Sequence, residues 1–422
     1  MISPSAYDIV KSFIKERKNM KIATIRKQIT PPPGTLLAGY GKDVVSDGVH
    51  DDLYISGISL DDGKNRAALL SYDLLGIDKD VIQDIRKKCS SKLGIPSENI
   101  ILTCTHTHSG PHTRKNADVF FDDDYTKKLV VWSVEAVSNS FEKMKEVSIF
   151  HYSVECDENV NRRVILPDNT CKTLPVNKHL AALANGIRDT ELGIIYFVDE
   201  NNKKPLATLV NYAAHPLTCQ SGGASSLKIT SDYPGVLREC VEKELGGLCV
   251  FVSGACGDLH PKGFETGFDR TREMGTEMAK KVIDVFSDAI RNESVYKLSN
   301  PSLSCLSETV EINFRDSGCI EKRLPVYEGQ KKERVEIQFL RIGDICLVGV
   351  PGEMLTEPGL EIKWHSPFRK TYILYNSTAY ISYIPHANAY LSGGYEAETS
   401  HIEQLAAFKI VSKAIEGLHR LK

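Results

Sequence analysis

The chain has 422 residues, of which 41% are hydrophobic and 25% are charged, a composition typical of a folded globular protein. Its net charge is −3 and its Lys and Arg are interspersed with Asp and Glu, which argues against nucleic acid as a partner. No apolar run approaches the roughly 20 residues of a membrane-spanning helix, so the sequence predicts a soluble protein with no transmembrane segment.

The N-terminal region is divided by a stretch rich in proline and glycine. An amphipathic helix is predicted over about residues 5–18, and the sequence TPPPGTLLAGYG then interrupts regular structure at residues 30–41. No comparable linker and no internal repeat follows. We therefore expect an N-terminal helical extension over residues 1–30 and a single domain over residues 31–422.

Apolar runs of strand length alternate with helical periodicity along the rest of the chain. Strands are predicted at residues 67–72, 100–104, 192–198, 207–212, 248–252, 337–342, 345–350 and 372–374. Amphipathic helices are predicted at residues 78–93, 124–145, 269–290 and 400–418. This alternation predicts an α/β fold with a mixed β-sheet core flanked by helices.

Four residues that can bind a metal each follow one of the apolar, strand-like runs. They are His106, His215, Asp258 and Glu353. Open α/β sheets bind ligands at the carboxyl ends of their strands, so these distant side chains can converge in one crevice.

The segment ILTCTHTHSGPHT at residues 101–113 is the most informative part of the chain. In extended backbone, residues two apart face the same side, so His106 and His108 can address one metal or one substrate. Imidazole nitrogen is a common zinc ligand. Two hydrogen-bonded surface histidines at a strand end are an equal alternative.

His215 and Glu353 lie in segments whose backbone is constrained by proline. His215 ends the run LATLVNYAAHP, in which the following proline favours extended backbone. Glu353 follows a Val-Pro-Gly turn that can place its carboxylate at the start of a helix, where the helix dipole favours negative charge. Taken alone, each residue also fits a structural role.

Together these motifs resemble the neutral ceramidases. THTHSGP, the strand end at His215, GDLHP, PGE and YISYIP followed by YEAETS occur in the order of that family, from about residue 39 to residue 399. Neutral ceramidases are zinc amidases that split ceramide into a sphingoid base and a fatty acid. The resemblance implies the fold of their N-terminal domain and a similar metal site.

Site residues are carried over from the resemblance position by position. It implies that zinc is bound by His106, His215, Glu353 and Tyr383, the last placed by its interval to Tyr395 in YEAETS. It also makes His108 a substrate-side group and places Arg162 of NVNRR near the reacting carbonyl. A fixed guanidinium there suits the negative charge that develops on a carbonyl oxygen, although a surface arginine is the default alternative.

The chain departs from the ceramidase pattern at one reactive position. His260 of GDLHP stands where the family has a serine, and imidazole could serve there as a general acid/base. Asp258 could orient a metal-binding histidine, with a structural role in the turn as the favoured alternative. The chain also ends soon after YEAETS, which suggests a compact relative without the C-terminal β-sandwich of ceramidases.

The sequence thus predicts a hydrolase that uses Zn²⁺ to cleave an amide or related acyl bond in a small-molecule substrate, with N-acyl lipids included. The alternatives are a hydrolase of the same fold acting on a soluble ester, lactone or glycoside, and a non-catalytic zinc-containing binding protein. Eleven scattered cysteines, an odd number without a CxxC pair, favour reduced thiols and a cytoplasmic location.

Overall fold

The computed structural model describes residues 20–40, 44–115, 122–174, 186–219, 227–263, 267–315 and 327–422. The helix predicted at about residues 5–18 lies outside these ranges. The helices are α1 (Lys79–Leu93), α2 (Asp123–Ser140), α3 (Tyr233–Leu245), α4 (Phe268–Arg291), α5 (Glu293–Tyr296), α6 (Thr356–Trp364), α7 (Ala387–Ser392), α8 (Tyr395–Thr399) and α9 (Ala406–Leu421).

The strands follow one another along the chain between these helices. They are β1 (Met20–Gln28), β2 (Gly48–Val49), β3 (Tyr54–Asp61), β4 (Arg66–Tyr72), β5 (Ile100–Cys104), β6 (Lys145–Glu155), β7 (Asn159–Asn161), β8 (Arg163–Ile165), β9 (Cys171–Thr173), β10 (Glu191–Asp199), β11 (Pro205–Tyr212), β12 (Lys228–Ile229), β13 (Leu248–Ser253), β14 (Leu259–Pro261), β15 (Leu303–Asn313), β16 (Lys332–Ile342), β17 (Ile345–Gly349), β18 (Glu353–Met354), β19 (Lys370–Leu374) and β20 (Tyr383–Ile384).

Two large sheets form the centre of the molecule. Within the described ranges, the larger sheet has eight strands in the order β13-β11-β10-β6-β1-β3-β4-β5. Its pairs β4–β5 and β11–β13 are parallel, and its other pairs are antiparallel. The smaller sheet has the order β15-β16-β17-β19, with β17 parallel to β19. The predicted α/β fold with a mixed sheet is confirmed.

Hydrophobic side chains stack these sheets and the helices into four layers. The two sheets face each other across a shared core in which Leu69 and Leu209 lie with Leu347 and Tyr372. Helices α1 to α4 cover the outer face of the larger sheet, and α6 and α9 cover that of the smaller one. Strands such as β5, β13 and β17 are therefore buried on both faces, which explains their continuous apolar runs in the sequence.

Each of the eight predicted strands overlaps an observed strand, and each predicted main-body helix overlaps an observed helix. Strands β1, β3, β6 and β15 were not predicted, and in β1 the charged Lys21 and Arg26 flank a short buried run that contains Ile22 and Ile25. Strand β1 pairs with β3 and β6 inside the larger sheet. Residues 20–28, which the sequence assigns to an N-terminal extension, therefore belong to the central sheet. None of the helices in the described part of the chain is long and apolar enough to cross a membrane.

Candidate metal centre

The candidate site lies where strands of both sheets end. His106 lies two residues beyond β5 and His215 three residues beyond β11, each at the carboxyl end of a strand with a parallel neighbour. Glu353 begins β18, shortly after β17 of the smaller sheet. Strand β18 pairs in parallel with β20, and Glu353 lies opposite Tyr383 in that pair. Segments far apart in the sequence thus meet at one point.

Three histidines and one carboxylate form a compact cluster there. Ligand nitrogens of His106, His108 and His215 all lie within 4.8 Å of one another. Glu353 Oε2 lies 3.4 Å from His106 Nε2 and 3.6 Å from His215 Nε2. His106, His215 and Glu353 are buried, whereas His108 is partly exposed. Three of the four residues that follow apolar runs in the sequence therefore converge as predicted, and Asp258 does not join them.

Each imidazole in the cluster places Nδ1 against a backbone carbonyl oxygen. The contacts are His106 to Leu75 (2.6 Å), His108 to Gly39 (2.9 Å) and His215 to Leu259 (3.1 Å). A carbonyl can only accept, so these contacts favour the tautomer with the proton on Nδ1 and a lone pair on Nε2. Among the described residues, the Nε2 atoms of His108 and His215 have no hydrogen-bond partner.

Glu353 supplies negative charge at the point that the imidazoles face. Its carboxylate accepts hydrogen bonds from Tyr375 Oη at 3.0 Å and from Tyr380 Oη. Burial opposes ionisation of this carboxyl, whereas His106 and His215, when protonated, lower its pKa well below the ordinary value. Burial also lowers the pKa of His215 to about 4, so its imidazole is neutral at pH 7. Neutral imidazole lone pairs beside a carboxylate are a donor set that suits a zinc ion.

The predicted fourth ligand, Tyr383, and the predicted substrate-side group, His108, differ in what the structure shows. Tyr383 Oη accepts a hydrogen bond of 3.1 Å from Arg162 Nη2, and its role as a ligand stays a prediction. His108, which the sequence assigns to the substrate side, lies in the histidine cluster and is its most exposed member. His108 can therefore complete a site built on His106, His215 and Glu353.

Arg162, which the resemblance places near the reacting carbonyl, is buried beside the cluster, and its role there stays a prediction. Its side chain is 5% exposed, which rules out the surface alternative. Its guanidinium donates to Glu396 Oε1 (2.6 Å), the Gly257 carbonyl (2.8 Å) and Tyr383 Oη (3.1 Å), and its Nη1 lies 3.2 Å from His260 Nε2. Although burial disfavours the charge, Tyr383 and Glu396 hold the pKa of Arg162 well above its ordinary value.

His260 is at the site, but its environment does not suit proton transfer near neutrality. Burial, together with the charge of Arg162, holds the pKa of His260 well below the ordinary value. The imidazole is therefore neutral at pH 7, and its Nε2 faces a guanidinium donor. Burial beside a permanent cation therefore argues against the expectation that His260 titrates near neutrality.

Asp258 has a structural role. One carboxylate oxygen accepts from the backbone nitrogen (2.8 Å) and hydroxyl (2.6 Å) of Thr356 at the start of α6. The other accepts from Asn161 Nδ2 at 2.8 Å. The oxygen that faces His215 Nδ1 is instead the Leu259 carbonyl. The prediction that Asp258 orients a metal-binding histidine is therefore wrong for His215.

Several residues that support the site were missed from the sequence. Tyr375 and Tyr380 donate to Glu353, and the side-chain amide of Asn376 lies beside His106 Nδ1. His106 itself has a φ of 71°, a left-handed backbone that is uncommon outside glycine. The extended backbone assumed for the THTH segment is thus wrong at His106. Glu396 belongs to the quoted YEAETS motif, which was the only signal that could have found it.

A close backbone approach explains one glycine of the site. A Cβ atom added to Gly39 would lie 2.0 Å from the Cβ atom of His108. The Gly39 carbonyl also receives the Nδ1–H of that histidine. Only glycine can therefore occupy this position without moving His108.

With this geometry in place, comparisons with known proteins identify the family. The model for the N-terminal region of neutral/alkaline non-lysosomal ceramidases matches residues 24–327. The chain belongs to this ceramidase family. A neutral ceramidase from Pseudomonas aeruginosa is 24% identical to it over 209 residues, which are 45% of this chain and 30% of the relative. The match thus spans less than a third of that curated ceramidase.

Solved ceramidase structures share the fold. The crystal structure of the neutral ceramidase from Pseudomonas aeruginosa superposes with a TM-score of 0.79 at 17% identity, covering 96% of this chain and 74% of that one. A ceramidase complexed with C2 gives a TM-score of 0.77 at 16% identity, with 96% and 75% covered. The resemblance to ceramidases and the fold that it implied are confirmed.

Proposed function

We propose that this ceramidase-family protein is a zinc-dependent hydrolase that cleaves an amide (N-acyl) or related bond. The geometry of the cluster supports the proposal. His106 and His215, whose Nδ1 atoms contact backbone carbonyls, place Nε2 3.4 and 3.6 Å from Oε2 of the buried Glu353, and His108 lies in the same cluster. A metal ion among these groups would satisfy lone pairs that otherwise face a carboxylate.

His106, His215 and Glu353 would hold the zinc ion, and Tyr383 is the proposed fourth ligand. When bound, zinc lowers the pKa of a coordinated water toward neutrality and polarises a carbonyl group. The Nδ1 contacts of the histidines support this assignment, because such contacts commonly orient metal-binding imidazoles.

The substrate would approach from the side of His108, the most exposed imidazole of the cluster. Arg162 holds its Nη atoms beside Tyr383 and His260 in a buried environment. Preorganised donors of this kind stabilise negative charge as it grows on a carbonyl oxygen. We propose that Arg162 and His108 have this role and that His260 contributes an uncharged contact.

The substrate class is a small N-acyl compound. N-acyl lipids are included in this proposal because the chain belongs to a ceramidase family. His260 at the position of the ceramidase serine favours a second candidate, in which the same chemistry acts on a soluble amide, ester, lactone or glycoside. We further propose a cytoplasmic location, because an odd number of scattered cysteines favours reduced thiols.

The test combines metal analysis with a hydrolysis panel. We expect about one zinc per chain in the purified protein and turnover of at least one member of a panel of ceramides, N-acyl amino acids, esters and lactones. Turnover of ceramide would place the protein with the ceramidases in activity, and turnover of soluble members alone would support the second candidate. Zinc without any turnover would favour a binding protein, and absence of both zinc and turnover would refute the proposal.

A further inference from the structure

Two consecutive arginines share one buried carboxylate at the edge of the metal centre. Glu396 of α8 accepts from Arg162 Nε at 2.6 Å through Oε1 and from Arg163 Nη1 at 2.6 Å through Oε2. The Glu396 side chain has 0% exposure, and both arginine side chains have 5%. One carboxylate thus fixes two guanidinium groups by charge-assisted hydrogen bonds.

The two arginines use their other donors in different directions. Arg162 directs both Nη atoms toward the metal centre, where they meet Tyr383, Gly257 and His260. Arg163 donates Nη2 to the Gly393 carbonyl at 2.8 Å, three residues before Glu396. Arg163 therefore anchors the segment that carries Glu396, and Glu396 in turn contacts the arginine that reaches the site.

The charges explain why a carboxylate is needed between the arginines. Burial opposes ionisation of Glu396, but Arg162 and Arg163 hold the pKa of this carboxyl below its ordinary value. Without that negative charge, two neighbouring guanidinium groups would lie buried and unpaired, which is strongly unfavourable. With it, the three groups carry one net positive charge, which lies beside Tyr383.

We propose that Glu396 is a positioning residue that holds Arg162 in the orientation needed at the reacting centre. Its bond to Nε fixes the plane of the guanidinium, and the plane determines where the Nη donors point. The catalytic consequence rests on the proposed hydrolase function, whereas the effect on the position of Arg162 does not.

The main variant is Glu396→Gln, which keeps the size of the side chain and removes its charge. A glutamine amide cannot accept from both arginines, because its NH₂ group would face one of them as a second donor. We expect kcat to fall by about 10²- to 10³-fold, the usual effect of losing one donor to a developing oxyanion. We expect zinc content to be unchanged and KM to change by less than about threefold.

Two further variants separate positioning from folding. Glu336→Gln is the matched control, because Glu336 makes a two-point contact with Arg86 at 2.6 and 3.0 Å that involves none of the site residues. It should lower the unfolding midpoint and leave kcat within about threefold. Glu396→Asp keeps the charge, so we expect it to fold even if Glu396→Gln does not. Its loss of kcat should be smaller than that of Glu396→Gln.

A double-mutant cycle tests whether Glu396 acts through Arg162. If it does, the double variant Glu396→Gln/Arg162→Met has the same kcat as Arg162→Met alone. A purely structural role would make the two losses multiply, and that result would overturn the inference.

A crystal structure of Glu396→Gln, or of Glu396→Asp if needed, separates this inference from the proposed function. We expect the guanidinium of Arg162 to leave the Tyr383 hydroxyl and the Gly257 carbonyl. An unmoved Arg162, or an unchanged kcat in an active enzyme, would refute the positioning role and leave the hydrolase proposal standing. A displaced Arg162 in a protein whose wild type hydrolyses no substrate would support positioning and refute the hydrolase proposal.

Discussion

His215→Ala removes one of the two imidazoles that lie next to the Glu353 carboxylate, with Nε2 at 3.6 Å from Oε2. Loss of groups that merely support a metal ligand lowers metal affinity by about 10- to 100-fold, so loss of a ligand should cost at least about 100-fold. We expect this loss of zinc affinity in His215→Ala, and the same in His106→Ala.

The effect on stability follows from linkage between binding and folding. Free zinc at 1,000 times its Kd stabilises a protein by about 4 kcal/mol, and a 100-fold weaker site retains about 1.4 kcal/mol. An unfolding entropy of about 2.1 cal/mol/K per residue gives roughly 0.9 kcal/mol/K for 422 residues. Adding a chelator should therefore lower the wild-type Tm by about 4–5 °C and that of the variant by about 1–2 °C.

The assay compares the chelator-induced change in Tm, because deleting a buried side chain lowers Tm with or without metal. His151→Ala is the control, since His151 is also buried but contacts Tyr372 Oη, at 2.5 Å, away from the cluster. It should lose packing energy and keep the full chelator-induced change. If His215→Ala binds zinc as tightly as the wild type and shows the same change, the ligand assignment is wrong.

Four other outcomes are expected. Tyr383→Phe should lower zinc occupancy, whereas His108→Ala should retain zinc and lower kcat. If metal analysis finds zinc lost in His108→Ala and kept in Tyr383→Phe, His108 is the fourth ligand. His260→Gln should lower kcat by less than about tenfold, because glutamine can still accept from Arg162, and a loss of roughly 10²–10⁴-fold would restore an acid/base role. Gly39→Ala should destabilise the fold by about 1–3 kcal/mol in urea unfolding, since its Cβ would overlap His108; an unchanged midpoint would mean that the loop can move. Alkylation of the denatured protein should find most of the 11 cysteines as free thiols, and several protected pairs would contradict a reducing compartment.

The sequence by itself determined eight of the twelve strands described in the two large sheets and the position of the histidines. Strands such as β5 and β17 are buried on both faces, so they appear as continuous apolar runs that local composition reveals. His106 and His215 follow such runs directly, and the THTH segment is recognisable without any structure. Strands β1, β3, β6 and β15 escaped prediction, and in β1 the charged Lys21, Arg26 and Lys27 leave only a short buried run.

Only the tertiary structure decided how the site is assembled. Glu353 meets the histidines, and Glu396 meets Arg162 across 234 positions of the chain, because packing of the sheets and of α8 brings these segments together. The same packing buries His260 beside a permanent cation and ties Asp258 to the start of α6. Burial and contacts between distant residues set protonation and hydrogen bonding, and neither leaves a local pattern in the sequence.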